Sequence, residues 1–178
     1  MTNMKTTNDT RLASTSDGES RQVRFAFFGT PELATTVLDE LESAGFVPSI
    51  VVTTPDKKQG RGMQLSSPPV KIWAEERSIE TIQPKTLDDG IAEMLRLKDC
   101  SVFIVVAYGK IIPQAILDIP TRGVLNVHPS LLPRFRGASP VRSAILADEQ
   151  TGVTVMQLDA QMDHGPIIAQ KKVEPEVW

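Results

Sequence analysis

Three polar residues lie where an α/β enzyme would hold its reacting groups. Asn126 and His128 end a predicted strand that begins at Gly123, and Asp163 lies in a loop just before the last predicted strand. Ligands of open α/β sheets bind outside the carboxyl ends of the strands. An amide donor, an imidazole that moves protons and a carboxylate that orients it are together suited to acyl transfer.

The spacing of Asn126 and His128 places both side chains on one face of their strand, because side chains alternate in direction along a strand. Taken alone, this pair is more typical of a hydrogen-bonded strand end than of a catalytic site. A lone Asp before Gly-Pro is usually local turn chemistry. The case for acyl transfer therefore depends on the three residues occurring together.

Other chemistries lack the motifs that they require. Only Gly29 is present of the three glycines in a dinucleotide fingerprint, and Pro31 interrupts it, which disfavours a nicotinamide or flavin cofactor. The sequence contains no Gly-Lys-Ser or Gly-Lys-Thr phosphate loop and no Gly-x-Ser-x-Gly nucleophile elbow. The two histidines, His128 and His164, come without a His-Glu-x-x-His spacing or a cysteine pair, so no metal site is predicted.

The elements that must position these residues alternate between strand and helix. A strand from Val23 to Phe28 leads through Gly29 into a helix that ends at Gly45, and the β-branched strand Val47–Thr53 completes a βαβ unit. The later strands are predicted at Ile79–Ile82, Val102–Val106, Gly123–His128, Gly152–Leu158 and Ile167–Val173, and the later helices at Val70–Arg77, Asp88–Leu97, Pro113–Leu117 and Pro140–Leu146. This order predicts an α/β fold whose mainly parallel, twisted sheet is flanked by helices, with one antiparallel element near the end.

Two connections carry more local expectations. Thr30 is expected to cap the helix that follows the first predicted strand, with Pro31 as the first helical residue. The segment Pro55–Pro69 is expected to be a loop.

Length and charge limit the classes of protein. The 178 residues are 40% hydrophobic with a formal net charge of -3, which predicts one domain and disfavours a surface that coats nucleic acid or membrane. The longest apolar run, Val102–Ala107, is far shorter than the about 20 residues of a transmembrane helix. Residues 1–22 have no apolar centre and include acidic residues, so we expect a disordered tail. The single cysteine, Cys100, indicates a reducing, cytoplasmic setting.

Several segments also resemble the signature of a known family, the formyltransferases that use 10-formyltetrahydrofolate. The resemblance is carried by Asn126–Pro133, Arg136, Gly137, Pro140, Met162–Ile167, Gly29–Pro31 and Val106–Gly109. These segments agree with the family in order and spacing. Together they cover nearly all of residues 23–174.

The resemblance implies a Rossmann-like formyltransferase fold and a role for each candidate. Asn126 would donate to the oxyanion, His128 would be the second donor and proton shuttle, and Asp163 would orient His128 and favour its protonated form. The residues implied to line the folate pocket are Ser130, Leu131, Leu132 and Pro133. The co-substrate would be 10-formyltetrahydrofolate, with no metal.

The segment Pro55–Pro69 bears on the acceptor. A local surplus of positive charge comes from Lys57, Lys58, Arg61 and, just beyond the segment, Lys71, against the single acidic residue Asp56. Such a surplus can meet phosphates even in an acidic protein, although the composition alone is typical of a solvated glycine-rich loop. The segment resembles a loop of the family members that formylate methionyl-tRNA, which implies that Arg61 contacts the acceptor end of the initiator tRNA.

Three arginines follow the His128 motif. Arg134, Arg136 and Arg142 could meet the glutamate tail of the folate or the tRNA backbone. For Arg142, a solvated basic face is an equal alternative. The sequence leaves this choice open.

We therefore expect formyl transfer from 10-formyltetrahydrofolate to the α-amine of methionyl-tRNA, for translation initiation. The alternative acceptors are an amino sugar nucleotide and glycinamide ribonucleotide, but a small acceptor does not need an extended basic loop. A third hypothesis is a non-catalytic folate-binding or regulatory domain. The joint presence of Asn126, His128 and Asp163 disfavours it.

The resemblance also bears on domain organisation. After the tail of residues 1–22, residues 23–178 correspond to the catalytic domain. Family members that act on methionyl-tRNA continue into a C-terminal β-barrel domain that helps to hold the tRNA, and we expect this domain to be absent from a chain that ends at Trp178. We also expect a monomer without a membrane partner.

Overall fold

The structure is a computed structural model that describes residues 23–59, 63–159, 161 and 163–174. The predicted tail at residues 1–22 and the predicted tRNA contact Arg61 lie outside the described residues. Within the described ranges, no helix combines the length and the apolar character needed to cross a bilayer.

Strands and helices alternate along the chain as the sequence predicts. The strands are β1 (Phe25–Gly29), β2 (Ile50–Val52), β3 (Lys57–Gln59), β4 (Gln64–Ser66), β5 (Thr81–Ile82), β6 (Val102–Val106), β7 (Val124–His128), β8 (Thr151–Gln157) and β9 (Ile167–Val173). The helices are α1 (Glu32–Ser43), α2 (Pro69–Glu76), α3 (Asp89–Leu97), α4 (Gln114–Leu117) and α5 (Pro140–Ala147).

Seven of these strands form one sheet in the order β5-β2-β1-β6-β7-β8-β9. The first five in this order pair in parallel, and β8 is antiparallel to both of its neighbours. Strand β8 therefore runs against the other six. The prediction of a mainly parallel sheet with one antiparallel element near the end is confirmed.

Strands β1, β2 and β6 carry apolar residues on both of their faces, and helices cover both sides of this part of the sheet. On one face, Phe25 and Phe27 of β1 pack with residues of α1 and α2. On the other face, Ala26 and Phe28 pack with residues of α3 and α4. Burial of each large apolar side chain contributes about 1.5–3 kcal/mol, so these two clusters stabilise the sheet from both sides. The candidate site lies at the edge of the second cluster.

Cys100 belongs to the cluster that includes α3 and α4, and it is a free, buried thiol. Burial raises the pKa of this thiol, which keeps it protonated at neutral pH. The side chain therefore acts as a small apolar residue of the core.

The connection from β1 to α1 differs from its prediction. Thr30 does not cap the helix: its hydroxyl donates to the Tyr108 carbonyl over 2.9 Å, and Pro31 takes the N-cap position with φ -84° and ψ 176°. Because Pro31 is still extended, the helix begins one residue later than expected. Thr30 instead ties the turn after β1 to the turn after β6.

The expected loop from Pro55 to Pro69 contains regular structure. Strands β3 and β4 pair antiparallel, with Lys57 opposite Ser66 and Lys58 opposite Leu65. They form a two-stranded sheet separate from the seven-stranded one. The segment is therefore a β-hairpin, which periodicity did not reveal because each strand has three residues.

Gly29, at the end of β1, provides a test of this packing. A Cβ atom added there would lie 2.6 Å from the Phe27 ring, 2.8 Å from the Ala34 Cβ and 3.1 Å from the Val106 carbonyl oxygen. Because these groups are buried, we expect Gly29→Ala to lower the free energy of unfolding by about 1–3 kcal/mol, measured by urea titration.

A matched control is Gly90→Ala in the first turn of α3. The added methyl group would meet only the Asp88 side chain at 3.3 Å, and alanine has the higher helix propensity. We expect a change below about 1 kcal/mol. Equal unfolding midpoints for the two variants would contradict the packing described for β1 and α1.

Candidate functional site

A cavity of about 920 Å³ opens at the carboxyl ends of β6 and β7. Its walls are formed by residues 107–114, 126–129 and 137–142, together with Leu33, Val105, Leu117, Leu158, Asp159, Gln161 and Asp163. Most of these side chains are apolar, and the volume is in the range of sites that enclose a whole small molecule, about 300–1,000 Å³.

The cavity brings together the three polar residues that the sequence singled out. Asn126 and His128 alternate with Val127 along β7 and line the cavity together with it, and Val127 also packs against the core cluster on the α1 and α2 side. Asp163 reaches the same wall from the loop between β8 and β9. His128 and Asp163 are 5% and 8% exposed, so water screens them only weakly.

The imidazole of His128 is held by a backbone carbonyl. Its Nε2 lies 3.0 Å from the carbonyl oxygen of Phe135. A carbonyl oxygen can only accept, so Nε2 must carry the hydrogen of this bond. In the neutral ring the hydrogen-free nitrogen is then Nδ1. Nδ1 is therefore the atom at which His128 gains and loses a proton.

Asp163 faces that nitrogen without bonding to it. Its Oδ1 lies 3.8 Å from His128 Nδ1, which exceeds hydrogen-bond length. Its Oδ2 accepts a hydrogen bond of 2.8 Å from the backbone amide of Gly137. The Phe135 carbonyl thus orients the ring, and Asp163 supplies a fixed negative charge beside Nδ1.

The backbone that presents the Phe135 carbonyl is strained. Phe135 has φ 56°, in the left-handed region that a bulky side chain rarely adopts and that costs about 1–3 kcal/mol. The Ser130 hydroxyl donates to the neighbouring Arg134 carbonyl over 2.8 Å. Gly137, which follows closely, has φ 95°. Surrounding hydrogen bonds therefore hold this turn in the conformation that reaches His128.

Thr154 of β8 also holds the turn that follows His128, and the sequence analysis did not single out this residue. It lies opposite His128 in the β7–β8 pairing and is fully buried. Its hydroxyl donates to the Ser130 carbonyl over 2.6 Å and accepts from the Leu132 amide over 3.1 Å. Gln170 of β9 donates to the Thr154 hydroxyl over 2.9 Å and to the Leu132 carbonyl over 2.8 Å.

We call Thr154 and Gln170, with the Ser130 and Leu132 backbone groups that they bind, the loop clamp. A polar residue in the middle of the apolar β8 is the one signal in the sequence that could have indicated Thr154. The hydrogen-bond partners of Thr154 are set by strand pairing and by the path of the turn. No local sequence pattern predicts either of these.

The residues predicted to contact the folate are Ser130, Leu131, Leu132 and Pro133. None of them is among the residues that line the cavity. Ser130 and Leu132 are buried and bonded to the loop clamp. Pro129, directly before them, is the residue of this stretch that reaches the cavity wall.

Tyr108 lines the cavity and belongs to the core cluster behind it. Its ring packs edge-on against Phe28, and its hydroxyl is buried without a hydrogen-bond partner among the described residues. Burial raises the pKa of Tyr108 to about 12. The hydroxyl is therefore a neutral donor at physiological pH.

The arginines after His128 divide into two kinds. Arg134 forms an ion pair with Glu149 and lies over the Phe135 ring, with its guanidinium carbon 5.6 Å from the ring centre. Arg136 and Arg142 are exposed, and Arg142 lines the cavity. Arg142 is thus the arginine placed to meet a ligand in the cavity.

Lys71 does not add to the positive surface of the hairpin, contrary to expectation. Its ammonium is 2.9 Å and 3.1 Å from the two carboxylate oxygens of Asp56. Each charge of this pair offsets the other. Lys57 and Lys58 are exposed and remain as the positive charges on the described part of the hairpin.

Comparison with known proteins finds close relatives over most of the chain. A methionyl-tRNA formyltransferase of Halorhodospira halophila is 48% identical over 149 residues, which span 83% of this chain and 48% of the relative. One from Chloroflexus aggregans is 48% identical over 154 residues, spanning 85% of this chain and 50% of the relative. The chain thus spans about half the length of the curated relatives it matches.

Solved structures share the fold. The phosphoribosylglycinamide formyltransferase of Bacillus halodurans matches with a TM-score of 0.68 and 25% identity, over 86% of this chain and 80% of that one. A sugar N-formyltransferase of a Shewanella species matches with a TM-score of 0.61 and 15% identity, over 87% of this chain and 58% of that one. At that lower identity the similarity shows the fold alone.

The family model for formyl transferases matches residues 23–175, which include both loops that carry the candidate residues. This range agrees with the extent of the resemblance seen in the sequence. The mixed sheet, the cavity at its carboxyl edge and these matches lead to one conclusion: the chain belongs to the formyl transferase family.

Proposed function

We propose that the chain transfers a formyl group from 10-formyltetrahydrofolate to the α-amine of methionyl initiator tRNA. The observation that carries the proposal is the meeting of Asn126, His128 and Asp163 at one wall of a large apolar cavity. The acceptor is inferred from curated relatives at 48% identity whose name specifies methionyl-tRNA.

The cavity suits the folate co-substrate. Its volume of about 920 Å³ and its largely apolar walls fit a flat ring system. Leu131 and Pro133 retain accessible surface beside Pro129. We propose that the Ser130–Pro133 segment meets the outer part of the folate and that Ser130 and Leu132 hold this surface in place.

Formyl transfer needs little help to activate the acceptor. An α-amine titrates near 7.7–8.0, so roughly a tenth to a fifth of it is neutral at pH 7. The neutral amine attacks the formyl carbon, a new C–N bond forms, and the bond from that carbon to N10 breaks. The larger task of the site is to stabilise the oxyanion that develops between these two events.

The three polar residues divide this task. Asn126 donates a hydrogen bond to the formyl oxygen as its negative charge grows. His128 takes the proton of the attacking amine at Nδ1 and returns a proton to the departing N10, while its Nε2 stays bonded to the Phe135 carbonyl. The Asp163 carboxylate lies 3.8 Å from Nδ1, the atom that carries the proton between these two steps.

A small acceptor is the second candidate function. Solved structures of phosphoribosylglycinamide formyltransferases share the fold at 25% identity, well below the 48% of the relatives named for methionyl-tRNA. The β3–β4 hairpin with Lys57 and Lys58 favours a phosphate-rich acceptor. Measuring transfer to charged initiator tRNA, glycinamide ribonucleotide and an amino sugar nucleotide separates the candidates.

The remaining expectations are part of the same proposal. We propose that residues 23–178 correspond to the catalytic half of the relatives and that the chain works as a monomer in the cytoplasm. Arg61 is proposed to contact the acceptor end of the tRNA.

The catalytic roles are tested by Asn126→Ala, His128→Ala and Asp163→Asn. We expect single-turnover formylation to fall by about 10²–10³-fold without Asn126 and by about 10²–10⁴-fold without His128. Asp163→Asn keeps an oxygen that can accept from the Gly137 amide but removes the charge. Its rate should therefore fall with little change in the urea midpoint of unfolding.

Asp159→Asn is the matched control, because Asp159 is an exposed carboxylate on the same cavity. We expect its rate to stay within about twofold of the unsubstituted chain, since it is not among the groups that stabilise the oxyanion. Normal single-turnover formylation by folded Asp163→Asn protein would refute the role given to Asp163.

The loop clamp is tested by Thr154→Val, which keeps the shape of the side chain and removes its hydroxyl. The Ser130 carbonyl and the Leu132 amide then lose this partner, while the Gln170 amide keeps its bond to the Leu132 carbonyl. We expect a loss of stability of about 1–3 kcal/mol for each group left unsatisfied. Formylation should fall with it, and Thr154→Ser should restore both. A stable, fully active Thr154→Val protein would show that the clamp does not position His128.

Arg61→Ala tests the acceptor. We expect a higher KM for methionyl-tRNA, an unchanged KM for the folate, and a decrease of about one in the slope of log KM against log salt. Arg96→Ala, at an exposed arginine of α3, is the control. An Arg61→Ala variant with unchanged KM and salt dependence would remove the main sequence argument for tRNA.

A further inference from the structure

A cluster of three side chains joins the base of the β3–β4 hairpin to the body of the domain. Asp56 stands directly before β3, Lys71 lies in the first turn of α2, and Gln83 follows β5. Lys71 Nζ is 2.9 Å and 3.1 Å from the carboxylate oxygens of Asp56, and Gln83 Nε2 is 2.6 Å from one of them. Gln83 also donates to the Thr54 carbonyl over 2.9 Å.

We call Asp56, Lys71 and Gln83 the clasp. It links the residue before β3 to helix α2, which follows the hairpin, and to β5 at the edge of the seven-stranded sheet. A two-stranded hairpin is marginally stable by itself in water, and β3 and β4 hydrogen-bond to each other rather than to the main sheet. The orientation of the hairpin therefore depends on its base.

The charges of the clasp stay in place at physiological pH. The hydrogen bonds from Gln83 and Lys71 hold the pKa of the Asp56 carboxyl below its usual range. The Asp56 carboxylate in turn raises the pKa of Lys71. Both side chains are about four-fifths buried, at 21% and 19% exposure, so the pair is less screened than an ordinary surface pair.

The hairpin that the clasp holds exposes a positive charge and an apolar side chain next to each other. Lys58 and Leu65 are cross-strand partners, so their side chains share one face. Leu65 is 69% exposed, and Lys58 is exposed beside it. An ammonium next to an apolar side chain suits a ligand that combines phosphates with flat bases, as a single-stranded tRNA end does.

We propose that the clasp holds the hairpin in the orientation that receives the acceptor end of the tRNA. Asp56, Lys71 and Gln83 are then positioning residues for the acceptor and take no part in formyl transfer itself. This inference rests on the proposed tRNA acceptor. In this proposal Lys71 holds the hairpin through its ion pair with Asp56 and does not bind the ligand itself.

The test uses Asp56→Asn, Lys71→Met and the double variant in the full chain. Formyl transfer is measured to methionyl-tRNA and to methionine methyl ester, which offers the same α-amine without the nucleic acid. We expect KM for methionyl-tRNA to rise about tenfold in each variant, with kcat and transfer to the ester changed less than about twofold. The double variant should be no worse than the single ones, because all three lose one shared interaction.

Amide hydrogen exchange gives a readout that does not depend on activity. We expect faster exchange at residues 57–59 and 64–66 in both single variants. Lys98→Met is the matched control, because it breaks a partly exposed ion pair with Glu80 at the amino end of β5, whereas the clasp lies at the carboxyl end. It should change neither the exchange of the hairpin nor KM for the tRNA.

The outcomes separate the clasp from the proposed function. If the unsubstituted chain makes no formylmethionyl-tRNA, the proposed function is overturned and the acceptor role of the clasp with it. If that chain is active and both clasp variants keep its KM, the clasp alone is overturned. Equal losses with methionyl-tRNA and with the ester would likewise overturn a role confined to the acceptor.

Discussion

The hydrogen bond between His128 Nε2 and the Phe135 carbonyl is the contact on which the site depends. It fixes the plane of the ring and leaves Nδ1 as the nitrogen that can exchange a proton, 3.8 Å from the Asp163 carboxylate. The carbonyl reaches the ring only because Phe135 adopts a left-handed conformation that a bulky residue normally avoids. The cost of that conformation is offset by the bonds that hold the turn, so the strained residue lies directly beside His128.

The architecture of the sheet explains how the turn is held. Strand β8 runs against the other six strands and brings Thr154 opposite His128, so one side chain can reach both the Ser130 carbonyl and the Leu132 amide. Strand β9 adds Gln170 on the outer side. The antiparallel strand beside the parallel ones therefore supports the turn that presents the Phe135 carbonyl, and the buried hydroxyl of Thr154 has a partner for each of its bonding positions.

Sequence patterns predict what depends on local order, and they miss what depends on pairing. The alternation of strand and helix, the single reversed strand and the shared face of Asn126 and His128 follow from periodicity. The β3–β4 hairpin was missed because its strands are too short to show a period. The sequence sets Asp56 against four cations, but it does not show that Asp56 pairs with Lys71, fifteen positions later, because only the folded hairpin brings the two together. Thr154 and Gln170 were missed for the same reason, since only strand register brings them to the turn.

Nitrogen-15 NMR of the histidine side chains tests directly which nitrogen of the His128 ring carries the hydrogen. The chain has two histidines, so a His164→Gln variant assigns the remaining signals to His128. In the neutral state we expect a hydrogen on Nε2 and none on Nδ1, with protonation at Nδ1 as the pH falls. A neutral ring that carries its hydrogen on Nδ1 would contradict it, because the Phe135 carbonyl could not then hold the ring.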